Sequence, residues 1–486
     1  MKTIFFRSAA VLTLGLSLGL TACDKQLNID PTQSVDATTA LNSEDKVGSA
    51  VVGLYAELDD PNLYGTNLIL VPELLAADNY ITFQGTFSNF RDISRRLTRN
   101  DNTTAEGIWR EAYQDINQAN LVLEALPVVT TASLNAQYEG EARFVRGDVY
   151  FELVRFYSRQ YDAATAATNL GVPINLTPVR TVEEANRRVA RSTVVQVYAQ
   201  VIDDLTKAIA LLPRTNGTRA TTFTAKALLA RVYLQQGNYA AAGMLADDVI
   251  KNSGKTLAPT LQAVFTSRNS TETLFEIQQN DQNNAGTANS GLATHYASIG
   301  QLGRGDVRVD LPFANLYGLT DARGRASSLL YNSTGARSVS PPNVALRTGK
   351  FTSYGQNIPV IRLAEMYLIR AEAAFRAGNA ATALADINRI RSRSGAIAYT
   401  AANFLAANGL ANILLERQLE LAFEGFRIHD LRRVNGIVAP ERPATATTPF
   451  VPAVFATNDR LVLPIPKRET DLNDPANPVL IQNPGY

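Results

Sequence analysis

The chain has 486 residues, of which 45% are hydrophobic and 19% charged, a composition ordinary for a globular protein. Its 46 basic and 45 acidic residues give a formal net charge of +1, which argues against nucleic acid as the main partner. One cysteine excludes an internal disulfide, and two histidines leave little material for a zinc site. We expect no cofactor and no metal, although an all-oxygen calcium site stays open.

The N-terminus reads as an export signal. Lys2 and Arg7 precede an apolar run from Ala9 to Leu20 that is too short to span a bilayer comfortably, so residues 1–22 are predicted to be a signal peptide. The following LTAC, which ends at Cys23, resembles the lipobox of bacterial lipoproteins. That resemblance implies cleavage before Cys23 and lipidation of its sulfur, with residues 23–40 as a polar tether. The alternative is a secreted protein with a free cysteine.

The next part of the chain, residues 41–252, has the apolar periodicity of amphipathic helices. The spacing predicts helices over residues 41–58, 68–77, 106–126, 139–161, 192–212, 224–236 and 239–251. We expect Ser192 to cap the fifth of these helices. Trp109, the only tryptophan, shares a helical face with Tyr113 and is therefore expected in the core.

A helical hairpin is predicted from Val360 to Gly395. Its apolar residues recur at steps of three and four, and Gly378-Asn379 interrupts the pattern as a tight turn would. Small residues such as Ala371 and Ala383 would let the two helices approach closely, as in tetratricopeptide repeats. The segment 225–251 follows the same design. Because no such hairpin buries its apolar stripe alone, we predict a mainly α, tetratricopeptide-like helical-repeat scaffold with irregular, loop-rich inserts.

Two further regions complete the chain. Residues 253–358 lack periodicity and are expected to be a loop-rich insert that carries variable, functional surface. Residues 359–486 form a C-terminal region in which 413–434 is predicted as one charged helix and 457–486 as an extended tail. We expect the charges of that helix to form a solvated face or a packed lattice of ion pairs.

Several motifs of the chain together carry a family resemblance. They are LTAC at 20–23, RFVRGDVYFELVRFYS at 143–158, RLAEMYLIRAEA at 362–373, ERQLELAFEGFRIHDLRR at 416–433, LPIPK at 463–467 and NPVLIQNPGY at 477–486. In this order they resemble the SusD/RagB family of outer-membrane nutrient-binding lipoproteins, over nearly the whole chain.

The resemblance implies a function and a location. Such proteins lie on the surface of Gram-negative cells, bind oligosaccharides or, less often, peptides, and close as a lid over a SusC-like TonB-dependent transporter. They are not enzymes. The resemblance also implies that the irregular segments form the ligand face and that the helical repeats form the scaffold and the surface that faces the transporter.

Saccharide recognition requires aromatic rings and polar groups close together, and two segments of the chain combine them. The first candidate segment contributes Asp78, Asn79, Tyr80, Phe83, Phe87 and Arg91. The second contributes His295, Tyr296 and Arg304 from a Gly/Asn-rich stretch that also holds Asp306. The alternatives are that the first set packs in the core and that the second is a plain surface loop. Tyr317, Tyr331, Tyr354 and the Asp321-Ala322-Arg323 element are expected to be structural.

The sequence therefore predicts a lipid-anchored protein of the outer cell surface that binds a nutrient and partners a transporter without catalysis. After the predicted signal peptide, the sequence contains no Gly-x-Ser-x-Gly elbow, phosphate-binding loop or metal-ligand cluster. The alternative function is a helical-repeat scaffold that docks proteins and has no small-molecule site. The identity of the ligand stays open.

Overall fold

The computed structural model describes residues 40–286, 290–299, 302–324, 329–332, 345–406, 408–442, 451–473 and 478–486. The predicted signal peptide, Cys23 and nearly all of the tether lie outside the described residues. Within these ranges, no helix combines the length and the apolar character that crossing a membrane requires.

Helices dominate the described structure and confirm the mainly α fold class. The helices are α1 (Glu44–Glu57), α2 (Asn67–Leu75), α3 (Ser88–Ser94), α4 (Thr103–Ala125), α5 (Ala132–Tyr157), α6 (Val182–Ala185), α7 (Val194–Leu211), α8 (Thr222–Gln236), α9 (Tyr239–Asn252), α10 (Leu261–Thr266), α11 (Leu292–Tyr296), α12 (Leu311–Ala314), α13 (Leu363–Arg376), α14 (Ala380–Arg393), α15 (Ala401–Ala406), α16 (Gly409–Glu420), α17 (Arg427–Arg433) and α18 (Lys467–Asp471). The strands are β1 (Ile81–Phe83), β2 (Thr273–Ile277), β3 (Val307–Val309), β4 (Leu330–Asn332), β5 (Leu346–Thr348), β6 (Ile358–Arg362), β7 (Ile437–Ala439) and β8 (Val454–Phe455).

The long helices stack side by side as a repeat scaffold. Helix α5 packs between α4 and α7, α8 packs between α7 and α9, and α13 packs between α9 and α14. Each hairpin turn is built by the same local chemistry. Gly237 and Gly378 adopt left-handed conformations, with φ of +81° and +83°, and Asn238 and Asn379 then cap the second helix of each pair. Both predicted hairpins are therefore confirmed.

Some predicted boundaries are wrong, and each has a local cause. Residues 358–362 form strand β6, which pairs with β2, because both faces of this short apolar run are covered; the hairpin begins only at Leu363. Helix α7 is capped by Thr193 rather than Ser192, since Thr193 and Gln196 form a reciprocal capping box. Helix α5 begins seven residues before the predicted start at 139.

The predicted single helix over 413–434 is two helices. Between α16 and α17 the backbone turns through Phe423 and Gly425, whose φ angles are +68° and +84°. Backbone amides of Gly425 and Phe426 donate to Glu73 Oε1 at 2.7 and 2.9 Å, which replaces the helical bonds lost at the break. A contact from helix α2 thus overrides the helical pattern of the sequence.

The charged residues of this region form a buried ion-pair cluster. Of the two predicted alternatives, a solvated face and a packed lattice of ion pairs, the lattice is confirmed. Its members come from six separate stretches of chain: Glu272, Asp321, Arg323, Lys350, Arg362, Arg391, Arg393, Glu416, Glu420 and Glu424. Arg362 Nη1 lies 2.8 Å from Glu272 Oε1 and 2.7 Å from Glu420 Oε1. Asp321 and Arg323 belong to this cluster, so their structural interpretation is confirmed.

The predicted insert is not purely loop. Residues 253–358 contain strands that join a four-stranded antiparallel sheet in the order β1-β3-β5-β4, and β1 comes from the N-terminal region. Ile81 pairs with Val309 and Phe83 with Val307. This pairing fixes the insert against the first part of the chain and positions the candidate site.

Candidate functional site

The two candidate segments meet at the end of the β1–β3 ladder. Directly after β1, the amide of Gln84 donates to the carbonyl of Asp306 at 2.6 Å. Gly85 lies so close to Asp306 that a Cβ at this position would be 2.8 Å from the Asp306 Cγ. Residues separated by more than 200 positions in the sequence are therefore neighbours.

Arg304, Asp306 and Phe87 form the centre of the site. Arg304 Nη2 lies 2.6 Å from Asp306 Oδ2, and its guanidinium lies over the Phe87 ring, 4.9 Å from the ring centroid. The carboxylate thus fixes the guanidinium on the aromatic face, an arrangement in which ion pair and cation–π contact act together. The Arg304 side chain remains about one-third exposed, at 31%, and so it is open to a ligand.

A buried layer supports these residues from below. His295 Nδ1 lies 3.1 Å from Asp306 Oδ2, and the His295 ring packs edge-on against Phe90 at 5.1 Å. Burial lowers the pKa of His295, although Asp306 opposes this effect. Burial alone would raise the pKa of Asp306, but His295 and Arg304 outweigh it and hold that pKa below its usual value. Asp306 is therefore an ionised anchor for Arg304.

Four side chains present chemistry at the surface here: Gln84, Phe87, Arg91 and Arg304, which we call the Phe87–Arg304 surface. Phe87 directly precedes α3, and Arg91 lies within that helix, where its amide donates to the Phe87 carbonyl at 3.2 Å. Gln84 is exposed, and Phe87 and Arg91 are half-buried. The surface offers an aromatic ring, two guanidinium groups and one amide. These groups suit a ligand with apolar patches and many hydroxyl or carbonyl acceptors.

The other predicted site residues lie elsewhere. Tyr80 and Tyr296 are 2% and 0% exposed, respectively, and both pack against Phe423 in the core. They face no solvent, because the sheet and the break after α16 close over them. His295 and Phe83 are also buried and support the surface without forming it.

Asp78 and Asn79 lie on the outer side of the turn before β1. Asp78 pairs with Arg96 at 2.6 Å, beyond the end of α3, and Asn79 is exposed with a φ of +57°. Their role as ligand-binding residues stays a prediction.

Sequence reasoning missed two residues of the site. Gln84 has no aromatic or charged character that would single it out. Arg347, from β5, lies beneath the surface, where its Nη2 approaches Gln84 Oε1 at 3.5 Å. The 263 residues between them hide this proximity, and only the sheet order β3-β5 brings them together.

Among the described residues, no group of three or more His, Cys, Asp or Glu side chains is arranged to hold a metal ion. Asp306, the carboxylate at the centre of the site, is engaged by His295 and Arg304. The arrangement is thus one of polar and aromatic contact, as expected for binding.

A stacked array of helix pairs, with irregular segments that form the Phe87–Arg304 surface, defines the class: a helical-repeat scaffold with a candidate binding surface. The comparisons with known proteins narrow this class. Residues 337–486 match the profile of the SusD family, and residues 25–234 match the profile described as starch-binding associating with outer membrane. The chain belongs to the SusD/RagB family.

Individual relatives are similar to this chain over nearly their full length. SusD-like protein P2 of Formosa agariphila is 27% identical and aligns over 90% of this chain and 92% of its own. A SusD superfamily structure from Bacteroides thetaiotaomicron superposes with a TM-score of 0.77 at 27% identity, covering 91% of this chain and 100% of that one. A Bacteroides vulgatus structure, provisionally named a sugar-binding protein, has a TM-score of 0.76 at 25% identity and covers 92% and 100%.

Proposed function

We propose that this protein is a nutrient-binding lipoprotein that captures an oligosaccharide at the Phe87–Arg304 surface. The observation that carries the proposal is the convergence of two segments, 78–91 and 302–306, on one face where Arg304 is held over Phe87. The irregular segments are where the family resemblance places ligand contacts. A peptide is the alternative ligand.

The chemistry of the surface favours a saccharide. A half-buried phenyl ring offers an apolar face for sugar C–H groups, and guanidinium and amide groups donate to hydroxyl oxygens. The description of the N-terminal profile as starch-binding, and the name of the Bacteroides vulgatus neighbour, support the same ligand class. Asp306 is already engaged by two partners, which supports binding without bond chemistry.

Delivery to a membrane transporter completes the proposal. Lipidation of Cys23 would tether the protein to the outer surface of the outer membrane, an association that the N-terminal profile names. The protein would then close as a lid over a SusC-like TonB-dependent transporter and pass on its ligand unchanged. Family membership supports this step.

Calorimetric titration of the full-length protein with a panel of oligosaccharides and peptides tests the capture step. We expect a panel member to bind and to be recovered intact. Phe87→Ala and Arg304→Ala should each weaken that binding about tenfold, since each removes one contact of roughly 1–2 kcal/mol.

Matched controls separate local from general effects. Phe455→Ala and Arg99→Ala remove exposed side chains of the same types outside the surface and should leave affinity unchanged. A ligand recovered in cleaved form would contradict the proposal. Absence of any ligand, combined with loss of transporter pairing in the Phe87 and Arg304 variants, would favour the protein-docking scaffold instead.

A further inference from the structure

An open cavity lies on another part of the molecule. It has a volume of about 750 Å³ and is lined by helix α4, by the connector 173–189 and by the C-terminal stretches 468–473 and 479–480. Cavities of roughly 300–1,000 Å³ are the usual size of small-molecule sites. The cavity shares no residue with the Phe87–Arg304 surface.

The walls of this cavity are fixed by hydrogen bonds between side chains and backbone. Tyr113 donates to the carbonyl of Pro173 at 2.8 Å, and Asn117 both donates to and accepts from the backbone of Val179, at 3.0 and 2.7 Å. On the opposite wall, Asn473 accepts from the amide of Leu480 at 2.9 Å. The connector and the C-terminal stretch are thus held in place, and the cavity is pre-formed.

The floor of the cavity is apolar and aromatic. Trp109 packs against Tyr113 with ring centroids 4.9 Å apart, and Leu472 and Val479 add aliphatic surface. Trp109 is only 4% exposed, which confirms its predicted place in the core, yet it also lines the cavity. This apolar floor suits the C–H faces of a sugar ring.

Five polar side chains also line the cavity. They are Glu106, Gln114, Arg188, Arg468 and Glu469. None of these five has a side-chain hydrogen bond or ion pair with the part of the chain that the structure describes. Burial raises the pKa of Glu469, an effect that Arg468 opposes and Glu106 reinforces. Carboxyl, amide and guanidinium groups therefore lie around one space as both donors and acceptors.

We propose that this cavity is a second saccharide-binding site, independent of the Phe87–Arg304 surface. A sugar hydroxyl both donates and accepts, so it needs donors and acceptors together, which the unused side chains of the cavity supply. A simple anion would lie close to the carboxylates of Glu106 and Glu469, and a simple cation would lie close to the guanidinium groups of Arg188 and Arg468, so like charges disfavour both. A polyhydroxyl ligand over an aromatic floor satisfies both sets.

The single tryptophan makes the site directly observable, since Trp109 emission reports this cavity and no other tryptophan contributes. The full-length protein, in a zwitterionic detergent without a sugar headgroup, is titrated with maltoheptaose, xylohexaose, mannohexaose and oligogalacturonate. We expect at least one of these to shift the Trp109 emission in a saturable way. Arg468→Ala and Gln114→Ala should weaken that response about tenfold, because each removes a hydrogen bond to the ligand.

Two controls distinguish this site from the proposed function. Lys467→Ala changes the neighbouring exposed cation, which does not line the cavity, and Phe87→Ala changes the other surface; both should leave the emission response intact. Since Gln114 and Arg468 are exposed, their variants should keep the melting temperature of the parent protein.

Two kinds of result would reject the second saccharide-binding site. If no oligosaccharide of the panel shifts Trp109 emission, or if the shift survives both Arg468→Ala and Gln114→Ala, the second site is rejected. Calorimetric binding that Phe87→Ala abolishes without any emission change would reject this inference and leave the proposed function standing. An emission response that persists in Phe87→Ala, with no binding at the Phe87–Arg304 surface, would support this inference and reject the proposed function.

Discussion

Several charged side chains lie in the interior of the protein, where water does not reach them. In the buried ion-pair cluster, the single carboxylate of Glu420 forms ion pairs with Arg323, Arg362 and Arg393. Burial by itself would raise the pKa of Glu420, but the charges of Arg393, Arg362 and Arg323 outweigh it and hold that pKa well below the usual range. The cluster links Glu272, the 321–323 element and helices α14 and α16, so one residue joins several elements.

We predict that Glu420→Gln lowers the free energy of unfolding by about 3–5 kcal/mol, because it leaves buried guanidinium groups with too little negative charge. Urea denaturation at neutral pH measures the loss. Asp203→Asn is the matched control, since Asp203 pairs with Lys207 at 2.7 Å on the surface, with both side chains nearly half exposed. That pair should contribute at most about 1 kcal/mol. Equal losses in the two variants would contradict the buried role of Glu420.

Glu73 is predicted to make stability depend on pH. Burial raises its pKa to about 7 from an ordinary 4.5, although hydrogen bonds from Tyr80 and from the backbone of 425–427 oppose the rise. Because the folded pKa is the higher one, the stabilising contribution is fully present below pH 4.5 and is lost as pH rises through 7. The loss amounts to about 3 kcal/mol.

Glu73→Gln should remove this dependence, since a neutral amide oxygen still accepts the backbone bonds. The measurement is the free energy of unfolding of the parent and the variant at several pH values between 4.5 and 7. The difference between them should grow in favour of the variant as pH rises. A constant difference would show that Glu73 is not the titrating group.

At the scale of elements, the helix pairs depend on small residues where helices touch. Gly243 of α9 faces Ala373 of α13 so closely that a Cβ on Gly243 would be 2.7 Å from the Ala373 Cβ. Real Cβ atoms do not approach to this distance, so the glycine sets the separation of the two hairpins. The same small-residue design was visible in the sequence of each hairpin, but not which residue of one faces which residue of the other.

We predict that Gly243→Ala destabilises the protein by about 1–3 kcal/mol through overpacking, although alanine is intrinsically the better helix former. Gly53→Ala in α1 is the control, because its nearest contact would be an ordinary 3.8 Å from Gln118; it should stabilise by up to about 1 kcal/mol. Adding Ala373→Gly to Gly243→Ala should recover part of the loss in thermal unfolding. If Gly243→Ala stabilises as Gly53→Ala does, the close approach is not real.

At the scale of the molecule, distant parts of the chain are tied by polar contacts from the C-terminal stretch. Asn483 donates to the carbonyls of Tyr157 at 2.8 Å and Leu463 at 2.7 Å, and Arg191 donates to the carbonyl of Ile481 at 2.8 Å. The stretch therefore closes over the end of helix α5. The C-terminal motif is thus docked against the helical scaffold.

Asn483→Ala should lower the free energy of unfolding by about 1–3 kcal/mol, because two backbone carbonyls lose their partner in a site where Asn483 is only 6% exposed. Denaturant unfolding checks the loss. Tyr486→Phe removes a more accessible bond, to Val462, and should cost less, about 0.5–1.5 kcal/mol. A larger effect from Tyr486→Phe than from Asn483→Ala would mean that the Tyr486 hydroxyl, not the Asn483 amide, holds the stretch.

The sequence by itself determined the helical scaffold. Apolar spacing, turn residues and small side chains are local signals, and so the hairpins 222–252 and 363–393, the helix at 103–125 and the core position of Trp109 were predictable. Predictions from the local pattern were wrong where a residue distant in the sequence forms hydrogen bonds with the backbone. Strand β6 exists because β2 covers it, and the helix over 413–434 breaks because Glu73 accepts its amides.

Only the tertiary structure decided which candidate residues form a surface. From the sequence, Tyr80, Phe87, Tyr296 and Arg304 looked alike, as aromatic or charged residues in irregular segments. Pairing of β1 with β3 turned Tyr80 and Tyr296 into the core and brought Phe87 under Arg304. Which side of a segment meets water depends on contacts between residues far apart in the chain, and no local spacing encodes those contacts.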